Sequence, residues 1–254
     1  MNLTVAITGA TSGIGRAVAE AFVDEGAFVA VSGRDGDAVD QTVDALTAGD
    51  TAGDTDHSND TDRDDIEEAE TSASGTAWGD RVDVRDEFDL ERFFQRVTRE
   101  AGPIDVVFAN AAVFHGAPGE NPADETSYAD YDDTMRTNAR GVFATFTEAT
   151  PHLAADARLI VPSGSVAHES KAGMGAYAVS KAAAEAIARG FAADLDATVG
   201  VVDPGLVATD LTGMERARDP ESVAPLFVWA ATEAPVEKLD GGRIGLREWK
   251  QATR

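Results

Sequence analysis

The chain contains no cysteine, which excludes disulfide bonds, thiolate metal sites and a cysteine nucleophile. Lysine occurs only four times, so arginine supplies most of the positive charge. No apolar run approaches the roughly 20 residues needed to cross a bilayer. The first residues lack the basic segment and long apolar core of a signal peptide. From these absences we expect a cytoplasmic protein with no membrane partner.

Acidic residues outnumber basic ones by 46 to 21, and the formal net charge is −25 at pH 7. Such a surface repels nucleic acids, so none is expected as a partner. Repulsion between carboxylates should destabilise the fold at low salt, whereas at about 1 M salt a Debye length of roughly 3 Å screens it. The composition resembles that of proteins from salt-accumulating halophiles. An ordinary acidic protein is the alternative.

Short apolar runs alternate with longer helical stretches along the 254 residues. The predicted strands are residues 3–8, 28–32, about 81–84, 106–109, 159–161 and 199–202. The predicted helices are about 14–25, 37–47, 87–100, 130–155 and 175–194. This alternation is typical of βαβ units and predicts an α/β fold with a doubly wound parallel sheet in three layers, formed by a single domain over residues 1–254.

One segment, from residue 49 to about 77, does not fit this pattern. It is rich in Asp, Glu, Thr and Ser, and Arg63 is its single basic residue. High charge and few large apolar groups predict an acidic, flexible insertion rather than a domain. A hydrated loop is the favoured interpretation, and a role in recognition is the alternative.

A glycine-bearing turn follows the first predicted strand and opens the first predicted helix. Its residues are Thr8, Gly9, Ala10, Thr11, Ser12, Gly13, Ile14 and Gly15. Glycines at such a turn let the backbone approach a pyrophosphate at the positive end of the helix. The strand, turn and helix together predict a dinucleotide-binding site, although the spacing T-G-x-x-x-G-x-G differs from the usual G-x-G-x-x-G. A purely structural loop is the alternative.

Tyr177 and Lys181 lie four residues apart and therefore share one face of the predicted helix. An ammonium near a phenol favours the phenolate and lowers its pKa. Tyr177 would then be able to act as a general acid or base near neutral pH. The spacing alone is common on helix surfaces, so its meaning depends on the other motifs.

With the glycine turn upstream of this pair, the chain resembles the short-chain dehydrogenase/reductase family over about residues 3–231. Further matches occur in family order at Asp83, Val84, Asn110, Ala111, Asn138, Ser165, Pro204, Gly205 and Thr209. The resemblance implies a Rossmann-type fold and hydride transfer between a nicotinamide dinucleotide and a small-molecule carbonyl or alcohol. It also implies a homo-oligomer, either a dimer or a tetramer.

The same resemblance implies four catalytic residues. Tyr177 would supply or take the proton, and Lys181 would lower the pKa of Tyr177 and bind the nicotinamide ribose. Ser165 would hydrogen-bond the substrate oxygen, and Asn138 would hold a water in a proton relay from Lys181. Ser163 remains the alternative to Ser165, because Ser165 precedes Tyr177 by twelve residues, one fewer than is usual in the family.

Arg34 decides the expected cofactor. NAD-specific relatives place an acidic residue at the end of the second strand, where this chain has Gly33 followed by Arg34. A guanidinium suits a 2′-phosphate, so NADP(H) is preferred and NAD(H) is possible; Ser12 and Asp35 weaken the argument. The expected cofactor-binding residues are Thr8, Gly9, Thr11, Ser12, Gly13, Ile14, Gly15, Arg34, Asp83, Val84, Asn110, Ala111, Tyr177, Lys181, Pro204, Gly205, Val207 and Thr209.

No metal site is expected, because His115, His152 and His168 have no carboxylate or histidine partner at metal-ligand spacing. His115 and His168 follow predicted strand ends and are therefore candidates for lining the substrate pocket. The segment from Gly205 to Asp219 is shorter than the family's usual lid, which predicts an open site. The residues after position 242 do not look like the family's closing strand and are expected to form a surface tail.

Two rival functions stay open. A non-catalytic relative would bind the dinucleotide as a sensor or scaffold, but such a protein has no need of all four catalytic residues. A sugar-nucleotide epimerase or dehydratase would need a substrate domain for which the carboxyl-terminal portion leaves no room.

Overall fold

Parallel strands form the centre of the computed structural model, which describes residues 1–48, 75–214 and 216–254. The strands are β1 (Thr4–Thr8), β2 (Phe28–Gly33), β3 (Thr76–Arg81), β4 (Ile104–Ala109), β5 (Leu153–Pro162), β6 (Thr198–Asp203) and β7 (Arg243–Gly245). Across these ranges they pair in parallel in the order β3-β2-β1-β4-β5-β6-β7. The predicted doubly wound sheet is thereby confirmed, with the strand order reversing between β1 and β4.

Helices cover both faces of this sheet. They are α1 (Gly13–Asp24), α2 (Gly36–Ala48), α3 (Glu87–Ala101), α4 (Tyr128–Met135), α5 (Gly141–Ala149), α6 (Gly175–Asp194), α7 (Pro220–Thr232), α8 (Val236–Leu239) and α9 (Leu246–Ala252). One apolar cluster joins α1 and α7 to the sheet, and a second joins α3, α5 and α6 to its other face. The three-layer α/β/α prediction is therefore confirmed.

Burial explains why the central strands lack polar alternation. All five residues of β1 are buried, and β4 is buried at five of its six positions. A parallel strand covered on both faces reads as a continuous apolar run. Each crossover then returns the chain to the same end of the sheet, so the loops after the strands share one edge.

The third strand lies earlier than predicted. The prediction placed it at about 81–84, whereas β3 spans Thr76–Arg81 and pairs with β2. This edge strand is polar, which hides it from an apolar search, while Val82 and Val84 are buried just beyond its end. The predicted insertion was also too long at its carboxyl end, because Thr76 and Ala77 belong to β3. Its remaining residues, 49–74, lie outside the described ranges.

Two other boundaries were wrong. The helix predicted for residues 130–155 ends earlier, because a short 3₁₀ turn containing Pro151 leads into β5 at Leu153. The expected surface tail instead contains β7, which pairs with β6 and buries Ile244. A three-residue strand is too short to produce a recognisable pattern. None of the helices in the described ranges is long and apolar enough to span a membrane.

Candidate active site

Two joined cavities lie at the carboxyl ends of the strands, where the strand order reverses. The cavity along the glycine turn has a volume of about 540 Å³, and the one beside Tyr177 has a volume of about 390 Å³. Ile14, Asn110 and Thr209 line both. Ligands of open α/β sheets bind at this edge, so the fold itself points to the predicted dinucleotide site.

The glycine turn is shaped for close approach of backbone. Gly9 and Gly13 have φ angles of 66° and 54°, which disfavour residues with a side chain. A Cβ atom on Gly9 would lie 2.7 Å from Ala111 Cα, and one on Gly15 would lie 2.3 Å from the Gly9 carbonyl oxygen. The turn leads into the first N–H groups of α1, an arrangement that fits a pyrophosphate.

Thr8 and Asn110 hold the two central loops together behind this surface. Thr8 Oγ1 accepts hydrogen bonds from the backbone N–H groups of Asn110 (3.1 Å) and Ala111 (3.3 Å). Asn110 Nδ2 donates to the Gly9 carbonyl at 2.7 Å. Thr8 and Gly15 do not line either cavity in the described chain. Asp83 is the third predicted cofactor residue that lines neither of these two cavities.

Arginines gather at the far end of the dinucleotide cavity. Arg34 and Asp83 lie in an open polar depression together with Arg81 and Arg85. Arg85 binds Asp83 in a bidentate ion pair, with Nη2 2.7 Å from Oδ2, and this contact holds the pKa of Asp83 below its usual value. Asp35 Oδ1 accepts from the Ala38 N–H at the start of α2, so that carboxylate is engaged with a helix end.

Tyr177 and Lys181 lie on α6 beside the smaller cavity, as their spacing predicts. Lys181 Nζ lies 5.6 Å from the centre of the Tyr177 ring and donates to the Pro162 carbonyl at 3.0 Å. Phe114 packs edge-on against Tyr177, with ring centres 4.9 Å apart. Contacts on both sides therefore orient the phenol.

Burial shifts the pKa values of both groups. It raises the pKa of Tyr177 to about 12 and lowers that of Lys181 to about 8, the latter opposed by the nearby carboxylate of Glu185. In the protein alone, desolvation of the phenol therefore outweighs any lowering of the Tyr177 pKa by Lys181, and the predicted role of Lys181 stays a prediction.

Asn138 lies in the π-helical turn Arg136–Arg140 between α4 and α5 and is buried. Its Oδ1 accepts from the Val113 N–H at 2.7 Å, and its Nδ2 donates to the Val113 carbonyl at 2.8 Å and to Ser180 Oγ at 3.0 Å. The side chain thus ties the loop after β4 to α6 and lines neither cavity in the described ranges. The relay water remains a prediction.

The two candidate serines both line the smaller cavity but have different partners. Ser163 is buried, and its Oγ donates to Glu185 Oε1 at 2.7 Å. Ser165 begins a short 3₁₀ turn, and its Oγ accepts a hydrogen bond from Lys171 Nζ. A hydroxyl that accepts from an ammonium keeps its own proton for another acceptor. The Ser165 hydroxyl also lies beside the Glu169 carboxylate, whose pKa is held below its usual value by hydrogen bonds from Lys171 and Ser165. Ser165 as the donor to a substrate oxygen stays a prediction, with Ser163 as the alternative.

A family model described as Enoyl-(Acyl carrier protein) reductase matches residues 48–226, and one described as short chain dehydrogenase matches residues 3–70. The chain belongs to the short-chain dehydrogenase/reductase family. The chain is similar to a cyclic-di-GMP-binding biofilm dispersal mediator protein of Escherichia coli K12, 30% identical over 247 residues that cover 90% of this chain and 89% of that protein. Glycine betaine reductase ATRR of Emericella nidulans is 28% identical over 245 residues, and the match spans 88% of this chain but 17% of that protein.

Solved structures carry the same fold. A dehydrogenase/reductase from Sinorhizobium meliloti 1021 superposes with a TM-score of 0.76 at 26% identity, covering 96% of this chain and 94% of that one. A short-chain dehydrogenase from Burkholderia cenocepacia in complex with NADP gives 0.76 at 23%, covering 96% and 95%. A 3-ketoacyl-(acyl-carrier-protein) reductase from Brucella melitensis complexed with NADH gives 0.76 at 18%, covering 96% of each chain.

The segment after β6, which the family uses near the cofactor, forms part of the smaller cavity. Pro204, Gly205, Val207 and Thr209 all line it. The short stretch that follows folds back on itself, since the Ala208 N–H donates to the Arg218 carbonyl at 2.7 Å. The predicted openness is therefore only partial, because this stretch still covers one side of the cavity.

The histidines differ from the prediction in part. His115 lines the larger cavity and not the smaller one, with Nε2 3.0 Å from Asp133 Oδ2. His168 contacts Arg243 and lines neither cavity, so its predicted place in the pocket is wrong. Among the described residues no group of three His, Cys, Asp or Glu side chains is placed to hold a metal.

Sequence reasoning missed several residues that shape this site. Ser180, Glu185 and Arg243 support it from behind, and Lys171 lies on its cavity wall. Ser180 occupies a variable position between Tyr177 and Lys181, and Glu185 and Arg243 lie outside the motifs. The importance of all three depends on contacts between distant segments. Lys171 carried a weak signal, because it is one of four lysines and lies midway between Ser165 and Tyr177.

Proposed function

We propose that this family member is an oxidoreductase that moves a hydride between NADP(H) and a small-molecule carbonyl/alcohol pair, with Tyr177 as general acid or base. The observation that carries the proposal is the convergence of Ser165, Tyr177 and Lys181 on one cavity, which shares lining residues with the cavity along the glycine turn. When bound, the dinucleotide supplies or accepts the hydride; the chain must then handle the proton.

Each side chain has a role that its environment supports. A pKa near 12 keeps Tyr177 protonated, so it is ready to donate to a developing alkoxide. Lys181, with a pKa near 8, still carries its charge at neutral pH and lies within reach of the phenol ring. Ser165 would hydrogen-bond the substrate oxygen, and Asn138 would fix the Val113 segment against α6.

The arginines at the far end of the cavity support a preference for NADP(H) over NAD(H). Arg34 shows no salt bridge within the described ranges, whereas Arg81 and Arg85 each contact an aspartate. The charge of Arg34 acts on Asp83 only at longer range. Its guanidinium is therefore available to bind a 2′-phosphate in bidentate fashion. The NADP in the Burkholderia cenocepacia structure and the NADH in the Brucella melitensis structure show that this fold accommodates either dinucleotide.

The variant Tyr177→Phe tests the proposal. We expect NADPH-dependent reduction of a ketone and aldehyde panel to fall by about 10²–10⁴-fold, the usual contribution of a general acid. Tyr128→Phe is the matched control, since Tyr128 is 91% exposed on α4 and should keep full activity. Unchanged turnover in Tyr177→Phe would refute the catalytic role.

A dinucleotide-binding sensor is the second candidate, and the cyclic-di-GMP-binding relative favours it. Such a protein would bind NADPH without turning over any carbonyl compound, and Tyr177→Phe would then leave its binding behaviour intact. Calorimetric titration of NADPH and of cyclic di-GMP, run beside the activity panel, separates the two functions.

We further propose that the protein works as a dimer or tetramer in a salt-rich cytoplasm. Phe143 and Val179, on α5 and α6, are 51% and 46% exposed, and they offer apolar surface for a second copy. The net charge of −25 supports the halophilic setting. Light scattering at low and high salt measures the subunit number directly.

A further inference from the structure

Lys171 places a second positive charge on the wall of the smaller cavity. It lies in the loop between the Ser165 turn and α6, and its Nζ donates a hydrogen bond to Ser165 Oγ. The other lysine of this cavity, Lys181, is buried beneath Tyr177. Two of the chain's four lysines therefore flank the position where Ser165 and Tyr177 would bind a carbonyl oxygen.

The surroundings of Lys171 supply one carboxylate partner, Glu169, which does not line the cavity. Glu169 Oε2 lies 3.4 Å from Nζ, but the Glu169 side chain is 55% exposed, so water screens the pair. Asp203 is the acidic residue on the cavity wall, and its Oδ1 already accepts from the Gly205 N–H at 2.9 Å. An ammonium has three N–H donors. The contacts of Lys171 with Ser165 and Glu169 engage two of them.

The rest of the wall is mostly apolar. Pro118, Val166, Met174, Leu206, Leu211 and Met214 contribute much of it. A few polar groups in an apolar cavity fix the orientation of a ligand and select for it. The net charge of −25 repels anions from the outer surface. Lys171 would therefore attract an anionic group of a ligand only after the ligand has entered the cavity.

We propose that Lys171 makes the site selective for carbonyl compounds that carry a carboxylate next to the reactive carbonyl, namely 2-oxo acids with an apolar remainder. This inference rests on the proposed reductase function. Ser165 would bind the carbonyl oxygen, and Lys171, hydrogen-bonded to Ser165, would bind the adjacent carboxylate. The carbonyl carbon gains a hydride from NADPH, and its oxygen gains the proton of Tyr177. The products are a 2-hydroxy acid and NADP⁺.

Phenylglyoxylate and its methyl ester form a substrate pair that differs in charge and shares the reactive carbonyl. We expect wild type to prefer the acid, and Lys171→Met to lower kcat/KM for the acid about 10- to 100-fold, the factor for losing one charge-assisted hydrogen bond. The ester should change less than about threefold, which also shows that the variant is folded. Lys171→Arg should restore most of the preference, and Lys250→Met, at an exposed position on α9, should match wild type.

Equal losses for acid and ester in Lys171→Met would overturn the inference, because Lys171 would then act only through Ser165. The inference would also be overturned if the wild-type protein reduced the ester as efficiently as the acid. The proposed reductase function would still stand in that case. Binding of N-phenyloxamate, a non-reducible analogue of a 2-oxo acid, to the NADPH-bound protein decides the question even if no compound is turned over. Binding that weakens in Lys171→Met supports selectivity for the carboxylate; binding that is absent or unchanged contradicts it.

Discussion

Burial controls the protonation of the groups at the centre of the site. The phenol of Tyr177, with a pKa near 12, is neutral at pH 7, while the ammonium of Lys181, with a pKa near 8, is still charged. Bringing a dinucleotide and a substrate into the cavity would replace more water and change both values. In the protein alone, burial thus favours the neutral, proton-bearing form of Tyr177.

The proposed preference for NADP(H) depends on a single residue, Arg34. We expect Arg34→Ala to raise the KM for NADPH about 10- to 100-fold, because one charge-assisted contact to the 2′-phosphate is lost. The KM for NADH should change little, since NADH lacks that phosphate. Arg99→Ala, at an exposed position on α3, is the control. Parallel titrations of NADPH and NADH measure the effect, and equal losses for both would contradict the assignment.

Strand β7 joins α6 through an ion pair in which the glutamate is buried and the arginine is partly exposed. Arg243 on β7 places Nη2 2.6 Å from Glu185 Oε2, while Ser163 donates to the other carboxylate oxygen. Glu185 is only 5% exposed and lies one turn beyond Lys181 on α6. The shortest strand of the described sheet therefore supports the loop after β5 and the helix of the site.

Removing one partner of this pair should be costly. We expect Arg243→Met to reduce the free energy of unfolding by about 1.5–3 kcal/mol, because the buried carboxylate of Glu185 loses its hydrogen-bonded counter-charge and keeps only the more distant Lys181. Urea denaturation measures the loss. The double variant Arg243→Met/Glu185→Gln should recover much of it, since the amide is neutral and still accepts from Ser163. Arg247→Met, at an exposed position in the first turn of α9, should stay within about 0.5 kcal/mol of wild type. Equal stability of Arg243→Met and Arg247→Met would refute the role.

Strands and helices with a strong local sequence pattern were predictable. Strands and side-chain contacts that depend on distant segments of the chain were not. Strands β1 and β4 were predictable because burial on both faces of the sheet leaves a continuous apolar run. The predicted start of α6 at Gly175 is also confirmed. Strand β3 was misplaced because its edge position tolerates Asp80 and Arg81. The motif residues around Tyr177 were readable, whereas the contacts of Lys171 and Glu185 come from separate loops and leave no spacing to recognise.

Charge acts on the molecule as a whole. With 46 acidic residues against 21 basic ones, like-charge repulsion is spread over the surface and not confined to one contact. The described salt bridges pair only some of these carboxylates, and most of the pairs are partly exposed and contribute little individually. Stability should therefore depend on the ionic strength of the solvent more than on any single surface pair.

We expect the unfolding temperature to rise steadily as KCl increases from about 0.1 M, where the Debye length is roughly 10 Å, to about 1 M, where it is roughly 3 Å. NaCl should act equally, because screening does not depend on the cation. On α2, Asp40 and Asp44 are exposed and lie four residues apart, so they repel each other. The variant Asp40→Asn/Asp44→Asn should be more stable than wild type at low salt, by roughly 0.2–0.5 kcal/mol, and nearly equal to it at high salt. An unfolding temperature that is flat or falls with salt would mean that repulsion between surface carboxylates does not limit this fold, and the halophilic assignment would fail with it.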